Sequence, residues 1–359
     1  MVTQVVLGST GHLGRQIVSA ALGGRQKVVA ATRRVGAYSS NITGLTEMAL
    51  SPDKLNDPNY WSDRFLKHLP TEGKVVVTNA MGGAHPAPGV SLRDHNRFPV
   101  LPALEGLLSA SRQLGIEPTV VSLSSTAASD QVPCEYARVK HELDHDQLSM
   151  DFKNIVVLRV GYTFDQPVRV GREYHLAAAH AYSISQLALL PMQFMIGDGS
   201  TQLQPVSNRD LAQFVMNAHK VKGKKVIGAV GPDVLQQKQL TQLFCDVLGT
   251  TFIPLHLSIK DVKDFAKQFP FGHLSEYAVN VADYGATLYD PKPFEEVLGR
   301  PLTTISSMLP SDREERLVVP YPPVLSHAKQ IVAACAKSSD ARKVAIAFSK
   351  SVIKELLSL

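Results

Sequence analysis

The sequence predicts an α/β fold built on a doubly wound parallel sheet, and three observations support this prediction. Seven short apolar runs alternate with longer segments of helical periodicity. The runs are continuous and rich in β-branched residues, which suits strands that are buried on both faces. The chain has 359 residues, enough for one large domain and a smaller lobe.

The strand–helix alternation sets the order of the predicted elements. The predicted strands are residues 3–9, 27–33, 46–50, 74–80, 119–125, 154–160 and 225–231. The predicted helices between them are residues 13–22, 59–69, 98–114 and 136–148. A further helix is expected from about residue 208, with Asn208 or Asp210 as its N-cap, and another ends at Gly249.

Changes in composition along the chain suggest three parts. Residues 1–160 form the sheet domain, and residues 161–317 form a smaller α/β lobe that is interleaved with the sheet. Residues 318–359 form a proline-rich linker followed by a helical tail. The apolar segment 181–197 is interrupted by Ser, Gln and Pro, so it is expected to be core and not a transmembrane span.

The composition narrows the class of protein and its compartment. With 44% hydrophobic and 19% charged residues the chain is an ordinary globular protein, and a net charge of +5 without a basic cluster does not indicate nucleic-acid binding. The cysteines Cys134, Cys245 and Cys335 are too far apart for a disulfide framework, which favours a reducing, intracellular compartment. The first residues enter a strand directly without a targeting pattern, so a cytoplasmic location is expected, with a mitochondrial one as the alternative.

A glycine-rich turn is the strongest functional signal. Gly8, Gly11 and Gly14 lie between the first strand and the first helix, with the spacing G-x-x-G-x-x-G. In such a turn the first glycine bends the chain, the second admits a pyrophosphate, and the third lets helix and strand pack closely. This context predicts a dinucleotide-binding Rossmann fold. The cofactor is expected to contact Gly8, Ser9, Thr10, Gly11, His12, Leu13 and Gly14.

The end of the second predicted strand distinguishes between the two nicotinamide dinucleotides. An acidic residue there would bind the ribose 2′-hydroxyl of NAD(H), but this chain has no acidic residue before Glu47. Arg33 and Arg34 occupy the position instead, and guanidinium groups suit a 2′-phosphate. NADP(H) is therefore the predicted cofactor, and Asn79 and Ala80 at the end of the fourth strand are expected to contact it.

A hydroxyl cluster, a tyrosine and a lysine follow the fifth predicted strand. Tyr136 and Lys140 are four residues apart and share one face of a helix. Tyrosine titrates near pH 10, so it can exchange protons at neutral pH only beside a cation such as a lysine. Among Ser124, Ser125 and Thr126, we expect Ser125 or Thr126 to orient a substrate oxygen.

These motifs together resemble the short-chain dehydrogenase/reductase superfamily. The three glycines match its nucleotide motif, and Tyr136 with Lys140 matches its catalytic pair. The segments "VVLRVGYTFD" and "IGDGSTQLQPVSNRDLAQFV" are similar to its extended and atypical branches, with Asp210 at a helix start. The atypical group that includes the Tat-interacting oxidoreductase and the NADPH-binding accessory subunit of respiratory complex I is the most similar, over residues 3–255.

The sequence departs from this family in three ways. Val160 replaces the usual proline, the hydroxyl cluster lies only about ten residues before the tyrosine, and residues after 260 match nothing. The family's active-site asparagine would be Asn79 or Asn96. These departures bear on the prediction of the substrate more than on the prediction of the cofactor.

The resemblance implies an NADP(H)-dependent oxidoreductase that acts on a small carbonyl or alcohol. The alternative is a non-catalytic NADPH-binding subunit that docks onto a larger, mitochondrial assembly through the C-terminal helices predicted at 327–337 and 340–359. No metal site is expected. The acids and His145 within 143–148 fit a solvated helix surface, and His175 and His180 fit ordinary buried or half-buried histidines.

Overall fold

The computed structural model describes most of the chain. The described residues are 2–34, 36–38, 42–83, 89–164, 168–170, 173–175, 192–248, 253–268, 283–308, 316–318 and the positions 339, 340, 343, 346 and 350. Internal contacts divide the chain into two compact units. The first comprises 1–163, 206–232 and 288–303, and the second comprises 164–205, 233–287 and 304–359. Residues 161–163, 206–232 and 288–303 of the predicted lobe 161–317 thus belong to the first unit, and the predicted limits at 160 and 317 stay predictions.

A seven-stranded sheet forms the centre of the first unit. Its strands are β1 Val2–Leu7, β2 Lys27–Thr32, β3 Leu45–Ala49, β4 Lys74–Asn79, β5 Thr119–Ser125, β6 Asn154–Val160 and β7 Lys224–Ala229. All neighbours are parallel, and their order is β3-β2-β1-β4-β5-β6-β7. The winding reverses between β1 and β4, which defines a doubly wound fold. Each predicted strand is confirmed to within two residues at either end.

Nine helices are found in the part of the chain that the structure describes. They are α1 His12–Gly23, α2 Pro58–His68, α3 Leu92–Arg97, α4 Val100–Leu114, α5 Glu135–Ser149, α6 Asn208–Asn217, α7 Gln237–Leu248, α8 Ile259–Gln268 and α9 Lys292–Leu298. The helix predicted from residue 98 begins at Val100, and the sequence did not predict α3. The predicted cap of α6 is wrong, because the Ser207 hydroxyl caps it by accepting from Arg209 N at 3.1 Å.

Hydrophobic side chains cover both faces of the sheet, since successive residues of a strand point to opposite sides. One cluster contains Ile17 of α1, Phe214 of α6 and Phe294 of α9, and the two phenylalanine rings stack at 5.1 Å between centroids. The other cluster contains Trp61 and Leu104, on α2 and α4. The late segment 288–303 therefore completes the core of the first unit.

A buried carboxylate fixes the return of this late segment. Asp210 Oδ1 accepts from Arg300 Nη2 at 2.5 Å and from Thr303 Oγ1 at 2.9 Å, while Oδ2 accepts from Thr303 N at 2.7 Å. Three donors satisfy a carboxylate that is nearly inaccessible to solvent. Asp210 is therefore a clamp for residues 300–303, which explains why Ser207 and not Asp210 caps α6.

The second unit is a smaller α/β assembly. Residues 192–196 pair in parallel with 253–257, residues 168–170 pair antiparallel with 173–175, and 316–318 pair in parallel with 173–175. Helices α7 and α8 belong to it. The predicted linker after residue 318, the predicted helix 327–337 and most of the apolar segment 181–197 lie outside the described residues. Of the predicted helix 340–359, positions 340, 343, 346 and 350 are described, and all four are helical. None of the described helices combines the length and hydropathy needed to cross a membrane.

We predict that Gly106 sets the distance between α2 and α4. A Cβ at this position would lie 2.5 Å from Trp61 Cβ and 2.6 Å from Pro58 O. We expect Gly106→Ala to lower the free energy of unfolding by about 1–3 kcal/mol, despite the higher helix propensity of alanine. Urea denaturation measures this change.

The control is Gly23→Ala at the end of α1, where a Cβ would meet nothing within 4 Å. This variant should match the wild type or exceed its stability by up to about 1 kcal/mol. Equal stabilities for the two alanine variants would show that helix packing at Gly106 tolerates a side chain.

Candidate functional site

Close backbone contacts shape the glycine turn at the carboxyl end of β1. Gly8 has a φ of +77°, and a Cβ there would lie 2.6 Å from Ala80 O, at the end of β4. A Cβ on Gly14 would lie 2.2 Å from Gly8 O. These two glycines therefore let β1, β4 and α1 approach one another, as the motif predicts.

The middle glycine has a different environment. Gly11 is exposed, and it is the N-cap residue of α1 without any side-chain cap. The first turn of α1 contains no acidic residue. Its backbone N–H groups and the positive end of the helix dipole therefore favour an anion at this turn.

The other residues of the turn divide between the interior and the surface. Ser9 is buried, its hydroxyl donates to Ala31 O at 2.8 Å, and its carbonyl accepts from Tyr38 Oη at 2.6 Å. His12 is exposed, with Nε2 3.0 Å from Asn208 Nδ2, and Thr10 and Leu13 are half-buried. The Ser9 side chain thus joins the turn to β2.

Two exposed arginines follow β2. Arg33 and Arg34 leave the strand at its carboxyl end, where Thr32 Oγ1 accepts from Arg34 N at 3.0 Å. Glu47 on β3 accepts from Gly36 N and Ala37 N, both at 3.0 Å. The sequence did not predict this role for Glu47, which holds the backbone that follows the arginines.

Both candidate asparagines are occupied by structural hydrogen bonds. Asn79 Nδ2 donates to Ser122 Oγ at 2.9 Å, and Asn79 Oδ1 accepts from Met81 N at 3.0 Å. The Asn96 amide bonds both backbone groups of Gly83 and the carbonyl of Leu92. These side chains shape the loop after β4, and Ala80 contributes its backbone to the Gly8 contact.

The predicted hydroxyls lie at the carboxyl end of β5. Ser125 is buried and its oxygen accepts from Ala127 N at 3.1 Å, while the backbone N–H of the buried Thr126 donates to Val160 O at 3.1 Å. Ser129 N donates to Ala137 O at 3.2 Å, which joins this loop to the start of α5. Ser125, Thr126 and the first turn of α5 therefore share one edge of the sheet.

Tyr136 and Lys140 occupy consecutive turns of α5, and both are buried. Lys140 Nζ lies 5.9 Å from the centroid of the Tyr136 ring. The lysine is only 4% exposed, and no hydrogen-bond acceptor pairs with its ammonium among the described residues. Burial lowers the pKa of Lys140 to about 8, although the negative charge of Asp144 opposes this effect.

Asp144 links this lysine to the neighbouring strand. Its Oδ2 accepts from Arg159 Nε at 3.0 Å, and Arg159 Nη1 donates to Tyr289 Oη at 2.9 Å. The expectation of a solvated surface over 143–148 is wrong for Asp144, which is buried, whereas His145 is exposed. The sequence contains one usable signal for this, since Asp144 follows Lys140 by four residues and so lies on the same helix face.

The remaining candidates from the sequence are a cysteine, metal ligands and two histidines. Cys134 is buried at the N-cap of α5, and the described side chains contain no cluster of three metal-ligating groups. The side chains of His175 and His180 lie outside the described part of the chain. The chemistry available at this edge of the sheet is therefore anion binding at the glycine turn and proton exchange at Tyr136 and Lys140.

Sequence comparison finds one weak similarity. No protein-family model matches the chain. The chain is 28% identical to "Protein FMP52, mitochondrial" of Candida glabrata over 159 residues. These aligned residues make up 44% of this chain. The match spans 62% of the length of that relative.

Solved structures share the fold over most of the chain. A nucleoside-diphosphate-sugar epimerase from Staphylococcus aureus aligns with a TM-score of 0.63 and 16% identity, over 86% of this chain and 99% of its own. UDP-glucose 4-epimerase from Thermotoga maritima aligns with a TM-score of 0.61 and 16% identity, over 89% of this chain and 98% of its own.

An NADPH-dependent quinone oxidoreductase from Escherichia coli, complexed with NADPH, aligns with a TM-score of 0.58 and 18% identity, over 85% of this chain and 96% of its own. The predicted fold class is confirmed, and so is the resemblance to short-chain dehydrogenases at the level of the fold. The chain shares the doubly wound Rossmann fold of these epimerases and this oxidoreductase.

Proposed function

We propose that the first unit binds NADP(H) and uses it in an oxidoreductase reaction on a carbonyl or alcohol. The buried Lys140 beside Tyr136 carries this proposal, because its side chain is 4% exposed, donates no hydrogen bond to a described residue, and is therefore available to donate to a ligand. The glycine turn gives a second argument for a dinucleotide. The N-terminus of α1 at Gly11 has no side-chain cap, so a pyrophosphate can accept from its backbone N–H groups.

Some residues at this edge of the sheet would bind the cofactor, and others would transfer a proton. A bound nicotinamide cofactor supplies or accepts the hydride. The N-terminus of α1 would hold the pyrophosphate, and Lys140 would donate to ribose hydroxyls. The charge of Lys140 stabilises the ionised form of Tyr136, so Tyr136 can give a proton to a carbonyl oxygen and recover it. Ser125 or Thr126 would orient that oxygen.

NADP(H) is preferred over NAD(H) in this proposal because of the end of β2. Arg33 and Arg34 are exposed there, while Glu47 already accepts from two backbone N–H groups. Two guanidinium groups attract the 2′-phosphate and form bidentate hydrogen bonds with its oxygens. The similar solved structures include proteins bound to NAD and one bound to NADPH, so they support a dinucleotide without selecting between the two.

The proposal also covers the location of the protein and the choice between an enzyme and a non-catalytic subunit. The mitochondrial name of the Candida glabrata relative supports the mitochondrial alternative for the location of this chain. The same similarity fits an accessory NADPH-binding subunit, which would use the glycine turn and Lys140 but not the proton transfer at Tyr136. The enzyme is preferred because Tyr136 and Lys140 are placed together at the edge where the cofactor would lie.

We predict that removing the two arginines changes cofactor selectivity. In the double variant Arg33→Ala/Arg34→Ala, affinity for NADPH should fall at least about tenfold, because the 2′-phosphate loses its charged hydrogen-bond partners. Affinity for NADH should stay within about twofold of the wild type. Calorimetric titration with each nucleotide measures both values, and an equal loss for NADPH and NADH would contradict the assignment.

We predict that Tyr136→Phe removes turnover and leaves nucleotide binding intact. Loss of the acid/base group should reduce kcat at least about 100-fold. The assay follows NADPH oxidation with a panel of ketones, aldehydes and quinones, and calorimetry gives the NADPH affinity. Tyr284→Phe, which changes an exposed tyrosine of the second unit, is the control.

Full turnover in Tyr136→Phe would exclude proton transfer by this residue. A wild-type chain that binds NADPH tightly and oxidises it with no member of the panel would support the accessory subunit instead.

A further inference from the structure

A chain of polar contacts runs from the late segment of the first unit to Asp144, one helical turn from Lys140. Tyr289 Oη accepts from Arg159 Nη1 at 2.9 Å, and Arg159 Nε donates to Asp144 Oδ2 at 3.0 Å. Asp144 lies one helical turn beyond Lys140 on α5. The chain thus joins α5, β6 and the segment 288–303, which are far apart in sequence.

Asp144 is paired with the Arg159 guanidinium although its side chain is only 4% exposed. Burial raises the pKa of Asp144, and the Ser124 hydroxyl and the Arg159 guanidinium oppose that effect. Arg159 is itself largely buried, with a side-chain exposure of 18%. A buried ion pair of this kind adds little net stability, since desolvation of both groups offsets their attraction. Its presence next to Lys140 therefore needs another explanation.

The neighbouring strand makes room for this arrangement. Gly228 on β7 is the direct partner of Arg159 in the sheet. A Cβ on Gly228 would lie 2.3 Å from Tyr289 Cβ, so only a glycine lets Tyr289 pack against this strand and reach Arg159. The absence of a side chain at Gly228 thus leaves the space that Tyr289 occupies.

Other charged groups around α5 are engaged elsewhere. On the side that contacts α3, Glu142 pairs with Arg93 and Arg97, and Asp146 pairs with Arg97. Strand β5, which also packs against α5, contains no charged residue. Among the described groups, Asp144 is the one whose charge raises the pKa of Lys140 against the effect of burial.

We propose that Asp144, anchored by Arg159 and Tyr289 one helical turn from Lys140, is a positioning residue whose negative charge keeps the Lys140 ammonium protonated beside Tyr136. Arg159 and Tyr289 act through Asp144, and none of the three is assigned a contact with substrate. The use of the charged lysine rests on the proposed function, but its protonation does not. The segment 288–303, which no motif identified, thereby becomes part of the site.

The titration of Lys140 tests this proposal without a substrate. Lysine labelled with carbon-13 at Cε is incorporated into the full chain, and the Lys140 signal is the one that Lys140→Arg lacks. In the wild type this signal should titrate with a midpoint near pH 8. In Asp144→Asn the midpoint should fall by about one pH unit or more, because burial is then unopposed. Asp144→Glu should restore the wild-type midpoint, since it keeps the charge.

Two further variants control for a nonspecific change of charge on α5 and for a failure of Asp144→Asn to fold. Asp146→Asn, on the α3 side of the same helix, is the matched control and should leave the Lys140 midpoint unchanged. If Asp144→Asn does not fold because Arg159 lacks its counter-charge, Asp144→Asn/Arg159→Gln removes both charges, and it should also lower the midpoint. An unchanged midpoint in the folded variants, or an equal shift in Asp146→Asn, would overturn the proposal.

Nucleotide binding separates this proposal from the proposed function. The shift of the Lys140 midpoint tests only the role of Asp144. Calorimetric titration of the wild type with NADPH tests the use of Lys140. A shifted midpoint in a chain that does not bind NADPH would uphold Asp144 as the positioning residue and reject the cofactor assignment.

Discussion

One buried ammonium group constrains the structure of the first unit. Lys140 has a pKa of about 8 against an ordinary value of 10.5, because burial disfavours its charged form. Holding it charged at neutral pH costs about 3 kcal/mol of folding free energy, a large share of the stability of a typical domain. The rest of the unit must offset this cost, and it must also place an opposite charge near the lysine.

The fold meets both requirements with the same chain segments. Two hydrophobic layers cover the parallel sheet, and the segment 288–303 contributes to one of them through Phe294. The same segment is clamped by Asp210 and supplies Tyr289 to the network around Asp144. A late part of the chain thus stabilises the core and holds the charge that faces Lys140, although it carries no catalytic motif.

Local patterns explain which features the sequence predicted. Continuous apolar runs bounded by turn residues favour buried strands, and all seven strands of the sheet were predicted in this way. The glycine spacing located the turn after β1. The Asp144–Arg159–Tyr289 network was missed because Tyr289 lies 130 residues from Arg159, and no local pattern encodes such a contact.

Competition between equivalent residues explains the other errors. Ser207, Asn208 and Asp210 are all good N-caps, and the choice depends on Arg300 and Thr303, which occupy the Asp210 carboxylate. Over 143–148 the charged composition suggested solvent exposure, but Asp144 is drawn into the interior, where it accepts from Arg159 on β6. Tertiary partners decided both cases.

The central claim is that Lys140 is buried for ligand binding at the expense of stability. Lys140→Met keeps the volume and removes the charge, so its unfolding free energy and NADPH affinity test this claim together. The unfolded wild-type chain binds more protons between pH 8 and 10.5 than the folded one, so the burial cost is largest below pH 8 and shrinks as pH rises to 10.5.

We therefore predict that the variant is more stable than the wild type by about 1–3 kcal/mol at pH 7, that this advantage shrinks toward pH 10.5, and that NADPH affinity falls at least about tenfold. A variant that is less stable at every pH and binds NADPH as tightly as the wild type would contradict the account.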